Sequence, residues 1–386
     1  MAGNSIGKRF VLTSFGESHG LVVGGVVDGC PAGMRLSVEE IQRELNRRRP
    51  GQSAFSTSRQ EMDQVEIVAG LFEGVTTGMP IAFWVKNSDA RGEDYEILKH
   101  VFRPSHADFS WQMKYGIRDY RGGGRSSARE HVVRVVGGSI ARQILRQRGI
   151  SIQGYTSSIG SIVLKQSYQE LDLTLVETNP VRCPDQKMAK EMMELLQRIR
   201  AEQDSIGGIV SCVIRGVPAG LGEPVFDRLQ ARLAAYMMSI NAAKGFEYGE
   251  GFHAAEMRGS EHNDVFTSRE GSVCPATNHA GGILGGISTG EDIYFRVAFK
   301  PVSSIGQVQK TVDGSGNLLD LAVEGRHDPC VVPRAVPVVE AMAALALVDF
   351  LLEKENNLKE WLVEIKRSII FDSNFKNILL WLRLEH

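Results

Sequence analysis

The apolar residues of this chain change period repeatedly, from two to about 3.6 and back, which restricts the fold to interleaved strands and helices. Period-two runs place candidate strands over residues 9–13, 21–27, 65–69, 80–85, 208–214 and 293–299. Helices are marked by their ends. Ser37-Val-Glu-Glu40 is a capping box, a hydroxyl at the cap and a carboxylate three residues on, opening a helix that stops before Pro50-Gly51. Ser127-Ala-Arg-Glu130 opens a second, long amphipathic helix to residue 148, and Pro224 suits the first position of a helix to residue 240. Further helices are expected over 191–202 and 336–352. No repeat, low-complexity tract or Pro/Ser-rich linker interrupts the chain, so residues 1–355 are expected to form a single α+β domain of mixed layers. Residues 356–383, amphipathic and rich in Leu, Ile and Trp, read as a peripheral helical tail, and 384–386 resemble the start of an expression tag.

Composition excludes several classes. With 44 Lys+Arg against 46 Asp+Glu the formal charge is −2, so no global positive field exists to hold nucleic acid. No run reaches the roughly 18 uninterrupted apolar residues of a membrane span, and the polar N-terminus is not a secretory signal. The expectation is a cytoplasmic protein with no membrane attachment. The five cysteines are odd in number, far apart and lack a C-x-x-C pair, which argues for free thiols rather than disulfides or a zinc site. No histidine pair has the H-x-x-x-H spacing of a metal centre, so no metal is expected.

Glycine is the compositional outlier, and its 41 residues gather in loops that also hold Arg, His and Ser. In a chain without net positive charge, arginines collected into glycine-bearing loops imply a local anion site. Arg121-Gly-Gly-Gly-Arg-Ser-Ser-Ala-Arg129 is the clearest case. Its glycines let backbone N–H groups approach a ligand, its serines precede a helix N-terminus, and Arg125 and Arg129 offer forked donors. It is neither a Walker loop nor a dinucleotide fingerprint. Arg47-Arg48-Arg49 ends a helix, and only the arginine facing the ligand is functional, because neighbours diverge by about 100°. His19, beside Ser18 and after a strand, and His106, between Arg103 and Asp108, suit acid work near neutral pH. His100, His131, His253 and His262 have no local constellation and read as packing or surface residues. Asp328, among cations in Gly325-Arg-His-Asp-Pro329, is either an ion-pair partner of Arg326 or a base.

Three of these motifs together resemble the signatures of the chorismate synthase family: Gly16-Glu-Ser-His-Gly20, Gly124-Arg-Ser-Ser-Ala-Arg-Glu130, and Gly325-Arg-His-Asp-Pro-Cys330 with Glu340-Ala341. The likeness runs from about residue 1 to about 352. It implies a β-α-β sandwich core and a homotetramer. The implied reaction is the 1,4-anti elimination of phosphate from 5-enolpyruvylshikimate 3-phosphate, a step of aromatic amino acid biosynthesis. The implied cofactor is reduced FMN, without net redox change, its electrons traced to NADPH through a separate flavin reductase.

By the same resemblance, His19 protonates the leaving phosphate with Ser18 at the substrate, His106 keeps the flavin protonated, and Asp328 acts in removing the C6 hydrogen. Arg48, Arg129 and Arg326 hold substrate anions, with Arg125 beside them. FMN contacts fall on Arg125, Ser126, Ser127, Asn241, Ala242, Gly285, Lys300, Pro301, Val302, Ser303, Ser304 and Arg326. The chain departs from the family at Ala54, where an arginine is common and Arg59 is a neighbour, at Val302 in place of Thr, and after Glu353. Two other classes stay open. One is an RNA-associated protein, against which the charge and the lack of aromatics among the loops weigh. The other is a flavin-binding paralogue without turnover.

Overall fold

The computed structural model describes residues 3–51, 61–87, 98–322 and 328–371, with side chains of the last helix described to Asn357. Two five-stranded antiparallel sheets enclose a layer of helices. The first sheet runs in the order Ser5–Ile6, Val11–Gly16, Val22–Asp28, Ile81–Lys86, Val65–Ile67. The second runs Ala243–Tyr248, Ile293–Phe299, Gly208–Arg215, Ser151–Ile159, Ile162–Val163. Between them lie the central helix His131–Arg146 and the C-terminal helix Val332–Phe371, flanked by Val38–Arg48. This is a β-α-β sandwich of the α+β class.

The middle layer is apolar nearly all round, as a helix covered on both sides must be. Val132, Val133, Val135, Val136, Ile140 and Ile144 of the central helix are buried. The two helices meet through small residues: a Cβ built on Gly138 would lie 2.4 Å from the Ala341 Cβ, so only glycine permits this approach. Val332–Asn357 is long and apolar enough to cross a membrane, but its most apolar window is wholly buried, which makes it a core helix.

Several sequence expectations need correction. Pro224 does not open its helix; the helix is Leu229–Met238, because Asp227 is drawn to Lys8 and Arg232 and holds the preceding residues in a loop. The last helix begins at Val332 and carries Pro337 inside it. A proline leaves the carbonyl four residues earlier without its helical donor. Here that carbonyl, on Pro333, accepts from the Arg182 guanidinium instead. Residues 356–371 continue this helix rather than forming a separate element, and 372–386 lie outside the described residues. The Ser127 capping box does not close. Its hydroxyl accepts from the Arg129 N–H at 3.3 Å, while the Glu130 carboxylate takes Arg125, and two 3₁₀ turns precede the helix at His131.

Candidate active site

A cavity of about 340 Å³ opens where the N-terminus of the central helix, the loop after Phe299 and the start of the C-terminal helix meet. Arg48, His106, Ser126, Asn241, Ala242, Lys300, Pro301, Val302, Ser303 and Asp328 all line it. These ten residues come from six separate stretches of sequence. The fold alone brings them together.

The glycine loop connects the two histidines. A Cβ on Gly122 would lie 2.1 Å from His19 Cε1 and 3.2 Å from Ser18 Oγ, and one on Gly123 would lie 3.0 Å from His106 Cε1. Both glycines also have positive φ, 66° and 93°. Any side chain here would therefore displace an imidazole and strain the backbone. Ser18 is buried, with Oγ 3.1 Å from His19 Nδ1.

His106 is oriented from behind. Its Nδ1 lies 2.9 Å from Asp108 Oδ1, and Asp108 accepts from Arg103 Nε and Nη2, both at 2.8 Å. Arg118 approaches the same carboxylate at 3.2 Å. Burial acts to raise the Asp108 pKa, but hydrogen bonds from Arg103 and His106 and their charges outweigh it and hold the carboxyl ionised far below its usual range. An ionised Asp108 fixes the Nδ1 proton of His106, leaving Nε2 as the nitrogen available for proton transfer.

The cationic wall is braced by carboxylates. Asp63 bridges Arg48, at 3.0 Å, and Arg129. Arg48 also donates to the Ala128 carbonyl at 2.6 Å, and Arg129 donates to Asn87 Oδ1 at 2.8 Å. Burial, only partly offset by Asp63, lowers the Arg48 pKa to about 10, so the guanidinium remains charged at neutral pH. Arg129 is buried away from the cavity lining, behind Arg48. Asp328 pairs with Arg334, a cavity residue that the sequence reading did not select.

The other predicted contacts lie elsewhere. Arg125 donates to Glu130 Oε2 at 2.7 Å, Ser14 Oγ at 2.6 Å and Gly16 O at 3.1 Å, so it ties the loop to the first sheet rather than facing the main cavity. It borders a neighbouring recess with Glu17, Arg118 and Asp119. Ser127 is used in capping, and Ser304 is buried beside the lining loop. Gly285 sits in the turn joining Ile283–Leu284 to Ile287–Ser288, on a different groove with Phe246 and Phe252. Arg326, Ala54 and Arg59 lie outside the described residues.

Sequence reasoning missed His131 as well as Arg334. His131 lines the cavity with Nε2 3.1 Å from Asn241 Oδ1. Burial first, and then the charges of Arg134, Arg48 and Arg334, hold its pKa well below the ordinary histidine range, so it is neutral. Its partner is 110 positions away, and no local signal marks the pair.

Two imidazoles against one glycine loop, beside a braced guanidinium wall, are a donor set suited to an enzyme that acts on a small polyanion. Comparison with known proteins narrows this. The sequence pattern of the family described as chorismate synthase matches residues 10–352. A chorismate synthase of Christiangramia forsetii is 57% identical over 357 residues, covering 92% of this chain and 99% of that protein. One of Bacteroides fragilis is 57% identical over 349 residues, covering 90% and 98%. A crystal structure of chorismate synthase superposes with a TM-score of 0.72 at 30% identity, covering 90% of this chain and 93% of the other. The chain belongs to the chorismate synthase family, and is a carbon–oxygen lyase of the shikimate pathway.

Proposed function

We propose that the cavity converts 5-enolpyruvylshikimate 3-phosphate to chorismate, expelling phosphate and the C6 hydrogen in a 1,4-anti elimination. The observation that carries this reading is the convergence of His106, Asp328 and Arg48 on one cavity, with His19 held against the same glycine loop. The substrate carries a phosphate and two carboxylates, and Arg48, Arg334 and Lys300 supply compensating charge around the cavity. Arg326 joins them by its motif.

His19 donates a proton to the departing phosphate, and Ser18 steadies its ring. Asp328, held in place by its ion pair with Arg334, accepts the C6 hydrogen as a proton. The donor set fits reduced FMN. Ala107, Ala128, Ala242, Phe299 and Val331 offer an apolar wall for a flat ring, and Ser126, Asn241, Lys300 and Ser303 offer polar contacts at its edges. When bound, reduced FMN supplies the transient electron donation that weakens the allylic C–O bond. His106, aligned by Asp108, holds a proton at the cofactor's edge. The walls keep water from the reacting atoms. The reducing equivalents for FMN are assigned to NADPH through a separate flavin reductase. The active form is taken to be a cytoplasmic homotetramer.

The test is anaerobic incubation of the purified protein with chemically reduced FMN and substrate. Equal release of phosphate and chorismate is expected, and absence of both overturns the reading. His19→Ala and His106→Ala are each expected to lower turnover by roughly 10²–10⁴, the usual worth of a positioned acid. Near-normal rates in both would remove the role given to the histidines.

A further inference from the structure

His131 is a buried histidine on the cavity wall that the proposed chemistry does not use. Its tautomer follows from its neighbour. Asn241 donates from Nδ2 to the Ser126 carbonyl at 2.6 Å, so its Oδ1 is the atom turned to His131 and must accept. The proton therefore sits on His131 Nε2. The relay continues: Ser126 donates from Oγ to the Gly123 carbonyl at 2.6 Å, and from its N–H to the same carbonyl at 2.9 Å. Gly123 in turn packs on the His106 ring.

We propose that His131 is a positioning residue, which through Asn241 and Ser126 clamps the glycine loop and so sets where His106 stands in the cavity. The relay joins the start of the central helix to residue 241, just before the second sheet's edge strand Ala243–Tyr248. It thus ties together two sides of the cavity. A neutral donor is the suitable chemistry. Arg48, Arg134 and Arg334 already surround the ring, and a second proton, on Nδ1, would place another cation among them without adding a donor toward Asn241 Oδ1.

This inference rests on the chorismate synthase reading, and its test separates the two. Intact His131→Ala and His131→Gln variants are compared with the wild type in three measurements. These are oxidised FMN binding followed by flavin absorbance, amide hydrogen exchange over residues 121–127 against the central helix, and the pH profile of turnover. Glutamine keeps an uncharged N–H donor; alanine does not. Expected results are roughly tenfold weaker FMN binding and faster loop exchange in the alanine variant, recovery to within about threefold of wild type in the glutamine variant, and an unchanged pH profile in the latter. Equal behaviour of the two variants overturns the proposal. So does loss of an ionisation from the glutamine variant's profile, which would make His131 an acid or base. Should no variant, wild type included, form chorismate while binding and exchange still separate alanine from glutamine, the clamp stands and the function assigned above falls.

Discussion

Gly122 and Gly123 show what a missing side chain does at the residue scale: each leaves room for one imidazole, and together they bring two histidines from distant loops to one place. The loop's composition marked it as a candidate anion site, but the direction of each arginine could not be read from it. Arg125, expected at the ligand, is also bonded to Glu130, Ser14 and Gly16. Arg334, which no motif singled out, lines the cavity. His131 was set aside for want of local partners, since Asn241 becomes its neighbour only after folding. Its ionisation gives a stability prediction. The folded pKa lies below the unfolded value near 6.5, so the unfolded chain binds the extra proton first. Stability from this group is full above that value and is lost as pH falls below it, by up to about 1.4 kcal/mol per pH unit. Urea unfolding at pH 5 and pH 7 is expected to show this slope in the wild type and a shallower one in His131→Gln.

At the scale of elements, end signals located helices well where the cap is local. The Ser37 hydroxyl accepts from the Glu40 N–H at 3.1 Å, and the helix Val38–Arg48 stops where Pro50-Gly51 required. The strands that escaped notice are those whose pattern is blurred. Ser151–Ile159 buries hydroxyls on both faces, Ser157 pairing with Ser211 at 2.7 Å, so its alternation of apolar and polar residues disappears. Ala243–Tyr248 is an edge strand whose register shifts between Ala243 and Gly245. The helix crossing at Gly138 and Ala341 could not be read from either sequence segment. Gly138→Ala gains about 1 kcal/mol of helix propensity but forces apart two packed backbones. A net loss of about 2 kcal/mol is expected in chemical denaturation, with the far-UV spectrum of the folded state retained.

For the whole molecule, the burial of charge in the middle layer matters most. Glu340, fully buried on the C-terminal helix, receives Arg47 at 2.5 Å, Arg142 at 3.1 Å and the Gly154 N–H at 2.8 Å. It thereby joins the Val38–Arg48 helix, the central helix and the second sheet. Burial pushes its pKa up, but the two guanidinium groups outweigh this and bring it below the ordinary glutamate value. The folded pKa is thus the lower one, and the stability it contributes is present above the unfolded value and lost as pH falls through the folded one. Glu340→Gln leaves the arginines poorly compensated and is expected to cost about 3 kcal/mol at pH 7, with a weaker dependence on acid below pH 5. Thermal and urea unfolding across that range measure both effects. A single glutamate ten residues after the Gly325–Cys330 signature gave no hint of this role, because Arg47, Arg142 and Gly154 are all distant in sequence.

The apolar helix Val332–Phe371 follows every strand of both five-stranded sheets along the chain, so a ribosome releases it after them. Until Val332–Leu352 emerges, the inner face of the second sheet lacks the helix that packs on Ser151–Ile159 and Gly208–Arg215, while the central helix already covers the first sheet. The two halves of the core therefore close in sequence, the first sheet on the central helix and the second only when the last helix docks.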